Sequence, residues 1–211
     1  RSLYGFSTSS AGVMWFATWN GVRAFDGTTW RKWRDEIPGV VAYHIAIGKN
    51  GAKWFSTDKG LVRYDGSAWK SIGAQECVRT VFVDSKDRVW VLYANDKPTV
   101  HLDVITGETA ATTPVKITFP QNPTGAIGEA PDGSIWCGAG REFHIFDGNS
   151  WKTIPLAGDL PHTLSCVTKA PDGNLWFGGD NNEIFRIENG NAICAPLETG
   201  PAWFTAYSAA V

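Results

Sequence analysis

Apolar and polar residues in this chain change over in short runs of four to eight, and nowhere settle into the three-to-four spacing of a helix. One set of runs begins on tryptophan: "WFAT" from Trp15, "WFST" from Trp54, "WVLY" from Trp90, "WCGA" from Trp136 and "WFGG" from Trp176. Each is followed by a second run with partial period-two alternation: "GVRAF", "GLVRY", "TVHLD", "EFHIF" and "EIFRI". Each is preceded by another, in order "SLYGFSTS", "VAYHIAIG", "CVRTVFVD", "TGAIGEA" and "LSCVTKA". A fourth run starts near Trp30, Trp69, Trp151 or Ala192. The pattern predicts strands separated by tight turns.

Turn chemistry supports that reading. Three positions before each leading tryptophan stand Gly12, Gly51, Asp87, Gly133 and Gly173. Between the second and fourth runs lie Asp26-Gly27, Asp65-Gly66, Asp147-Gly148 and Asn189-Gly190, while the third unit has "DVITGE" in that place. Gly, Asn and Asp accept the positive φ that tight hairpins need. The Asp-Gly pairs are therefore hairpin residues, since they lack the close Asp-x-Asp-x-Asp spacing of calcium loops.

The tryptophans repeat at intervals of 39, 36, 46 and 40 residues. A unit of four strands and about 40 residues is the blade of a β-propeller. The expected fold is all-β, a propeller of four-stranded antiparallel blades, with five readable blades and an extra terminal strand. As a single domain over residues 1–211, the blades fall at about 1–38, 39–74, 75–120, 121–158 and 159–200, with 201–211 starting a further blade or closing the ring. The repeated Trp is expected to pack blade on blade rather than touch a ligand.

Composition narrows the class. Of 211 residues 43% are hydrophobic, and 11 Trp and 23 Gly stand against one Met, as short strands and tight turns require. A net charge of −2 gives no footprint for nucleic acid. No apolar run approaches the roughly 20 residues of a spanning helix. Cys77, Cys137, Cys166 and Cys194 lack metal-ligand spacing and read as buried, unbridged thiols.

"WFATWNGVRAFDGTTW" (15–30) and "WFSTDKGLVRYDGSAW" (54–69) resemble the two-component regulator propeller repeat, Asp-x-x-Gly-x-(Leu/Val)-Trp-(Phe/Ile)-(Gly/Ala)-Thr followed by x-x-Gly-(Leu/Val)-x-x-(Phe/Tyr)-Asp-Gly. "APDGSIWCGAGREFHIFDGNSW" follows it nearly throughout, "APDGNLWFGGDNNEIFRIENG" in its first half, and "SKDRVWVLYANDKPTVHLD" least. The resemblance spans close to the whole chain. It implies a bacterial sensor region or a secreted binding module, working in the periplasm or outside the cell. "PDGNLWF" is also similar to streptogramin-lyase-like propellers, which implies a His/Glu/His set with magnesium. His44 and His162 have no matching Glu and second His in adjoining units.

The last residues, "PAWFTAYSAAV", fall where the first strand of a sixth unit belongs. Both ends then supply an innermost strand. Three arrangements remain open: a piece of a larger propeller, a five-bladed ring with a spare strand, or a ring completed between copies. The spare strand favours the first.

In a repeat architecture, function sits where the units differ. The loops joining blades and those between second and third strands converge on one face. The candidate ligand-binding residues there are Trp19, Asn20, His44, Asp58, Lys59, Arg79, Arg141, His162, Asp180 and Trp203. Trp19 leads, because no other unit carries an aromatic at that loop tip. Trp203 also reads as packing, and His44, Arg79 and His162 as satisfied structural groups near the channel. Aromatics beside Asn, Asp and Arg suit a small-molecule, carbohydrate or peptide ligand. A protein partner or self-association at the ring edge is the other partner expected. No nucleophile elbow, His-Glu-x-x-His or Walker loop occurs, so no catalytic residue is assigned and no cofactor or metal is expected. Asp35, Glu36, Glu76 and Asp159 lie in blade-joining loops without a defined partner. The expected function is non-catalytic recognition, with a channel-mouth enzyme such as a metal-dependent lyase, or an assembly scaffold, as alternatives.

Overall fold

A computed structural model describes residues 2–73, 76–93, 102–105, 113–115, 126–139, 142–155, 164–179 and 183–196. These residues form strands and turns, with no helix, in five four-stranded antiparallel sheets, each strand pairing with the next in sequence. The first sheet holds β1 (Leu3–Thr8), β2 (Met14–Thr18), β3 (Gly21–Phe25) and β4 (Trp30–Trp33). The second holds β5 (Ala42–Ile47), β6 (Lys53–Thr57), β7 (Gly60–Tyr64) and β8 (Trp69–Ile72). The third holds β9 (Val78–Val83), β10 (Val89–Tyr93), β11 (Leu102–Ile105) and β12 (Thr113–Val115). The fourth holds β13 (Ala126–Glu129), β14 (Ile135–Ala139), β15 (Glu142–Phe146) and β16 (Trp151–Pro155). The fifth holds β17 (Leu164–Lys169), β18 (Leu175–Gly179), β19 (Glu183–Glu188) and β20 (Asn191–Pro196).

Every predicted punctuation point in the first hairpins takes the left-handed backbone. Gly12, Gly51, Gly133 and Gly173 have φ of 77°, 79°, 81° and 87°, and Asp87, the non-glycine of the set, has 61°. In each hairpin that residue's N–H donates to the carbonyl three residues back, and the strand resumes two residues later, as in a type I turn with a glycine bulge. The Asp-Gly turns close through the aspartate. Asp26 Oδ1 accepts from Thr28 and Thr29 N–H, Asp65 Oδ1 from Ser67 and Ala68, and Asp147 Oδ1 from Asn149 and Ser150. These bonds hold the three carboxyls below the ordinary aspartate value, Asp65 at about 2. One expectation is corrected in the third sheet. Asp103, Val104 and Ile105 of "DVITGE" extend β11 and pair with Val91, Trp90 and Val89, since their apolar pattern continues the strand.

The chain divides into two compact units, Arg1–Thr118 and Phe119–Val211. In the first, β5 packs between β1 and β9, so the first strands of three sheets lie side by side. Trp15, Ala17, Val22 and Ala24 of the first sheet pack against Ile45, Phe55 and Val62 of the second. Trp54, Leu61 and Ile72 then pack against Val78, Val81, Val89 and Val91 of the third. In the second unit β13 lies beside β17, and Trp136, Phe143 and Ile145 meet Leu164, Leu175, Phe177 and Phe185. Trp15, Trp54, Trp90 and Trp136 are buried, as their packing role requires, and Trp176 is half-buried. Truncating such a core indole costs about 4 kcal/mol.

No cysteine forms a disulfide. Cys137 and Cys166 are buried, and burial pushes the Cys137 thiol up to about 12. The expectation of burial fails at Cys194, which lies on outermost strand β20 and is exposed, and at Cys77, which is half-buried before β9. The 201–211 segment, read as an extra strand, lies outside the described residues.

Candidate functional site

The sequence pattern places loop residues first, and the loops between second and third strands are tightly built. The Thr18 hydroxyl donates to the Gly21 carbonyl at 2.7 Å and accepts the Asn20 N–H. Thr57 repeats the device, donating to Gly60 at 2.7 Å and accepting from Lys59 N–H. Thr therefore fixes the "WFAT" and "WFST" strand ends. Positions 93, 139 and 179 carry Tyr, Ala and Gly instead.

On this loop Trp19, 42% exposed, presents its side chain to solvent, while its backbone N–H donates to the Ser2 carbonyl beside β1. Asn20 is half-buried next to it. Asp58 is committed to structure. Its Oδ1 accepts the N–H groups of both Val40 and Val41 at 3.0 Å, closing the loop that leads into β5. Gly39 is needed at that closure, because a Cβ there would meet Asp58 Oδ1 at 2.4 Å. Lys59 is exposed beside it. Arg141, His162, Asp180 and Trp203 lie outside the described residues.

The remaining two candidates, His44 and Arg79, belong to an arrangement the motif spacing did not announce. Each first strand of the first unit carries a β-bulge near its start. In β1, Leu3 and Gly5 pair with the consecutive Thr18 and Ala17, which leaves Tyr4 as the extra residue. In β5, Ala42 and His44 pair with Thr57 and Ser56, leaving Tyr43. In β9, Val78 and Thr80 pair with Tyr93 and Leu92, leaving Arg79. In the second unit β17 does the same at Ser165, between Leu164 and Cys166. All four bulged residues lie eleven positions before the leading tryptophan of their unit. A bulge re-aims a side chain that a regular ladder would bury.

In the first unit these side chains meet. The Tyr4 and Tyr43 rings lie 5.7 Å apart, tilted by 57°. The Arg79 guanidinium stands 4.6 Å from the Tyr43 centroid. Tyr4 and Arg79 are exposed and Tyr43 is half-buried, so a Tyr–Tyr–Arg stripe crosses three neighbouring first strands. Burial raises the Tyr43 phenol above its ordinary value, the Cys77 thiol adds to that, and the Arg79 charge opposes it. Among the described residues no carboxylate lies within ion-pair distance of Arg79.

The stripe is anchored from below. Ser56, fully buried, donates its hydroxyl to the Arg79 carbonyl at 3.2 Å. His44 follows the bulge, with Nδ1 3.2 Å from the Val81 carbonyl of β9 and its ring near Gly5 of β1. The imidazole keeps a solvent-facing side, yet enough protein surrounds it that desolvation lowers its pKa, with the Val81 bond opposing.

No protein-family profile matches the chain, and no curated protein does. Solved structures do. Virginiamycin B lyase from Staphylococcus aureus, in a catalytically inactive form with quinupristin, superposes with a TM-score of 0.76 at 15% identity, over 94% of this chain and 71% of that one. A streptogramin B lyase gives 0.75 at 17% identity, over 93% and 69%. These neighbours are β-propellers, and the five sheets are blades. The fold is a β-propeller. A third neighbour is the extracellular domain of a proposed one component system from B. thetaiotaomicron, with a TM-score of 0.69 at 16% identity. There the propeller chain matches over 93% of its own length and spans 31% of the larger domain. Both kinds of protein that the repeat resembles are thus among its structural neighbours.

Proposed function

We propose that this propeller is a non-catalytic recognition module, a single domain serving as the sensor region of a bacterial signalling protein or as a secreted binding module, outside the cytoplasm. The observation that carries the reading is the stripe of Tyr4, Tyr43 and Arg79. Three blades spend a bulge each on pointing two aromatic faces and one guanidinium out of the first-strand wall. Aromatic faces beside a fixed cation bind by stacking and hydrogen bonding, and ask for no chemical step. The extracellular sensor domain among the neighbours supports the same use of the fold and the same side of the membrane.

The test is binding with the stripe removed. Saccharide and peptide panels probed with the purified chain should give hits that Tyr43→Ala and Arg79→Ala abolish while thermal unfolding is unchanged. Binding untouched by both substitutions, or turnover of a bound compound, overturns the reading. The lyase neighbours make turnover the outcome to look for, since their fold is shared and their activity is their own.

A further inference from the structure

The stripe has a chemistry of its own, and resting on the reading above it names a ligand class. We propose that Tyr4, Tyr43 and Arg79 bind an acidic saccharide, stacking its sugar rings on the two phenols and holding its carboxylate on the guanidinium.

Arg79 stands over the Tyr43 ring with Cζ 4.6 Å from its centroid, and its guanidinium carries five N–H donors in a planar group. Those donors form a fork that fits a carboxylate, and no described carboxylate takes it. The nearby acid that could compete, Asp58, already spends one carboxylate oxygen on the Val40 and Val41 amides. Lys59, the next residue, adds a second exposed cation on that loop. Among the described residues the site therefore supplies a cation with no carboxylate on it, open to the anion of a ligand.

The two tyrosines define the rest of the molecule. Their rings are tilted by 57° and Tyr4 is 47% exposed, so they offer faces rather than a closed slot. Such faces suit the C–H side of a pyranose. A peptide would gain most by adding as a strand to the first-strand edge. The bulges interrupt that edge in all three blades at the very position of the stripe, which blunts strand addition. A polyanion bound by broad charge attraction is disfavoured by the chain's net charge of −2.

The experiment is calorimetric titration of the whole chain with short oligomers of galacturonate, mannuronate and glucuronate, each against its methyl ester. The ester keeps the ring and removes the charge. At least one acid should bind roughly tenfold or more tighter than its ester, a charge-assisted bidentate contact being worth that much. Arg79→Gln should bring acid and ester to equal affinity, Arg79→Lys should restore part of the difference, and Tyr43→Ala should weaken both alike. Near-ultraviolet circular dichroism and unfolding temperature establish that each variant is folded. If no uronate binds, or if acid and ester bind equally, the ligand class is wrong, while neutral sugar or peptide hits lost in Tyr43→Ala would leave the recognition reading standing. If all binding survives Tyr43→Ala and Arg79→Gln together, both fail.

Discussion

The indole nitrogen of Trp90 donates to Asp84 Oδ2 at 2.8 Å, and the same oxygen accepts Arg88 Nε at 2.6 Å. Asp84 Oδ1 meanwhile accepts the N–H groups of Lys86 and Arg88, so one buried carboxylate closes the turn and holds the blade's central tryptophan. Asp84→Ala removes the carboxylate that accepts the buried Trp90 indole N–H and pairs with the Arg88 guanidinium. Denaturant unfolding should show a loss of about 3 kcal/mol. Asp84→Asn, which keeps an acceptor oxygen, should lose less.

The Asp-Gly turns make a pH prediction. Asp65 is held at about 2 by the amides of Ala68 and Ser67, below its ordinary 3.8. The unfolded chain takes up the proton first as pH falls. The turn's contribution is therefore complete above about 3.8 and is lost as pH drops through about 2. Carboxyl carbon shifts followed by NMR should place the Asp65 midpoint near 2, and Asp65→Asn should flatten this part of the stability profile. A midpoint near 4 would contradict the turn geometry.

His44 gives the opposite group with the same sign. Its folded pKa lies below the ordinary 6.5, so the imidazole is neutral at pH 7 and the unfolded chain binds the proton more readily. Stability from this residue is present above about pH 6.5 and declines below it. His44→Gln should remove that decline, read as the unfolding temperature at pH 7.5 against pH 5.5. His144 also titrates below its ordinary value, through burial, so the comparison is made against wild type at both pH values.

Gly21 closes the Trp19 loop at φ 83°, where a Cβ would come within 2.3 Å of the Trp33 carbonyl oxygen. Gly21→Ala should cost about 3 kcal/mol, since left-handed strain adds to a clash with backbone. Gly12 has φ 77° but open space around it, so Gly12→Ala should cost only about 1 kcal/mol. The contrast is measurable by denaturant unfolding of the two variants side by side.

The scaffold was legible because its requirements are local. A positive φ at Gly12, Gly51, Gly133 and Gly173 demands small or turn-forming residues, and the spacing of Trp15, Trp54, Trp90 and Trp136 reports a packing position directly. Even Asp87, which lacks the glycine, was placed by its register. The stripe was not legible, because an extra residue at the same position in β1, β5, β9 and β17 leaves the repeat length unchanged. Arg79 is a sequence candidate through its position near the channel, whereas nothing in the motif spacing singles out Tyr4 or Tyr43. One signal existed: the position eleven before the tryptophan reads Tyr, Tyr, Arg, Gly, Ser across the five units, while the position nine before it stays apolar as Phe, Ile, Val, Ile, Val. Trp19 stood out for the analogous reason, and its exposed indole agrees with a loop-tip position.

The recurring bulge separates two kinds of information in the polypeptide. Letters that specify folding sit at the turns and the interblade tryptophans. The letter at position 4, 43 or 79 does little for either, since its side chain leaves the ladder. Such a layout behaves like a keyboard with fixed mechanics and exchangeable keycaps. A library randomised at those three codons alone should remain soluble and cooperative in unfolding while its members diverge in what they hold, and selection could readdress the molecule one blade at a time.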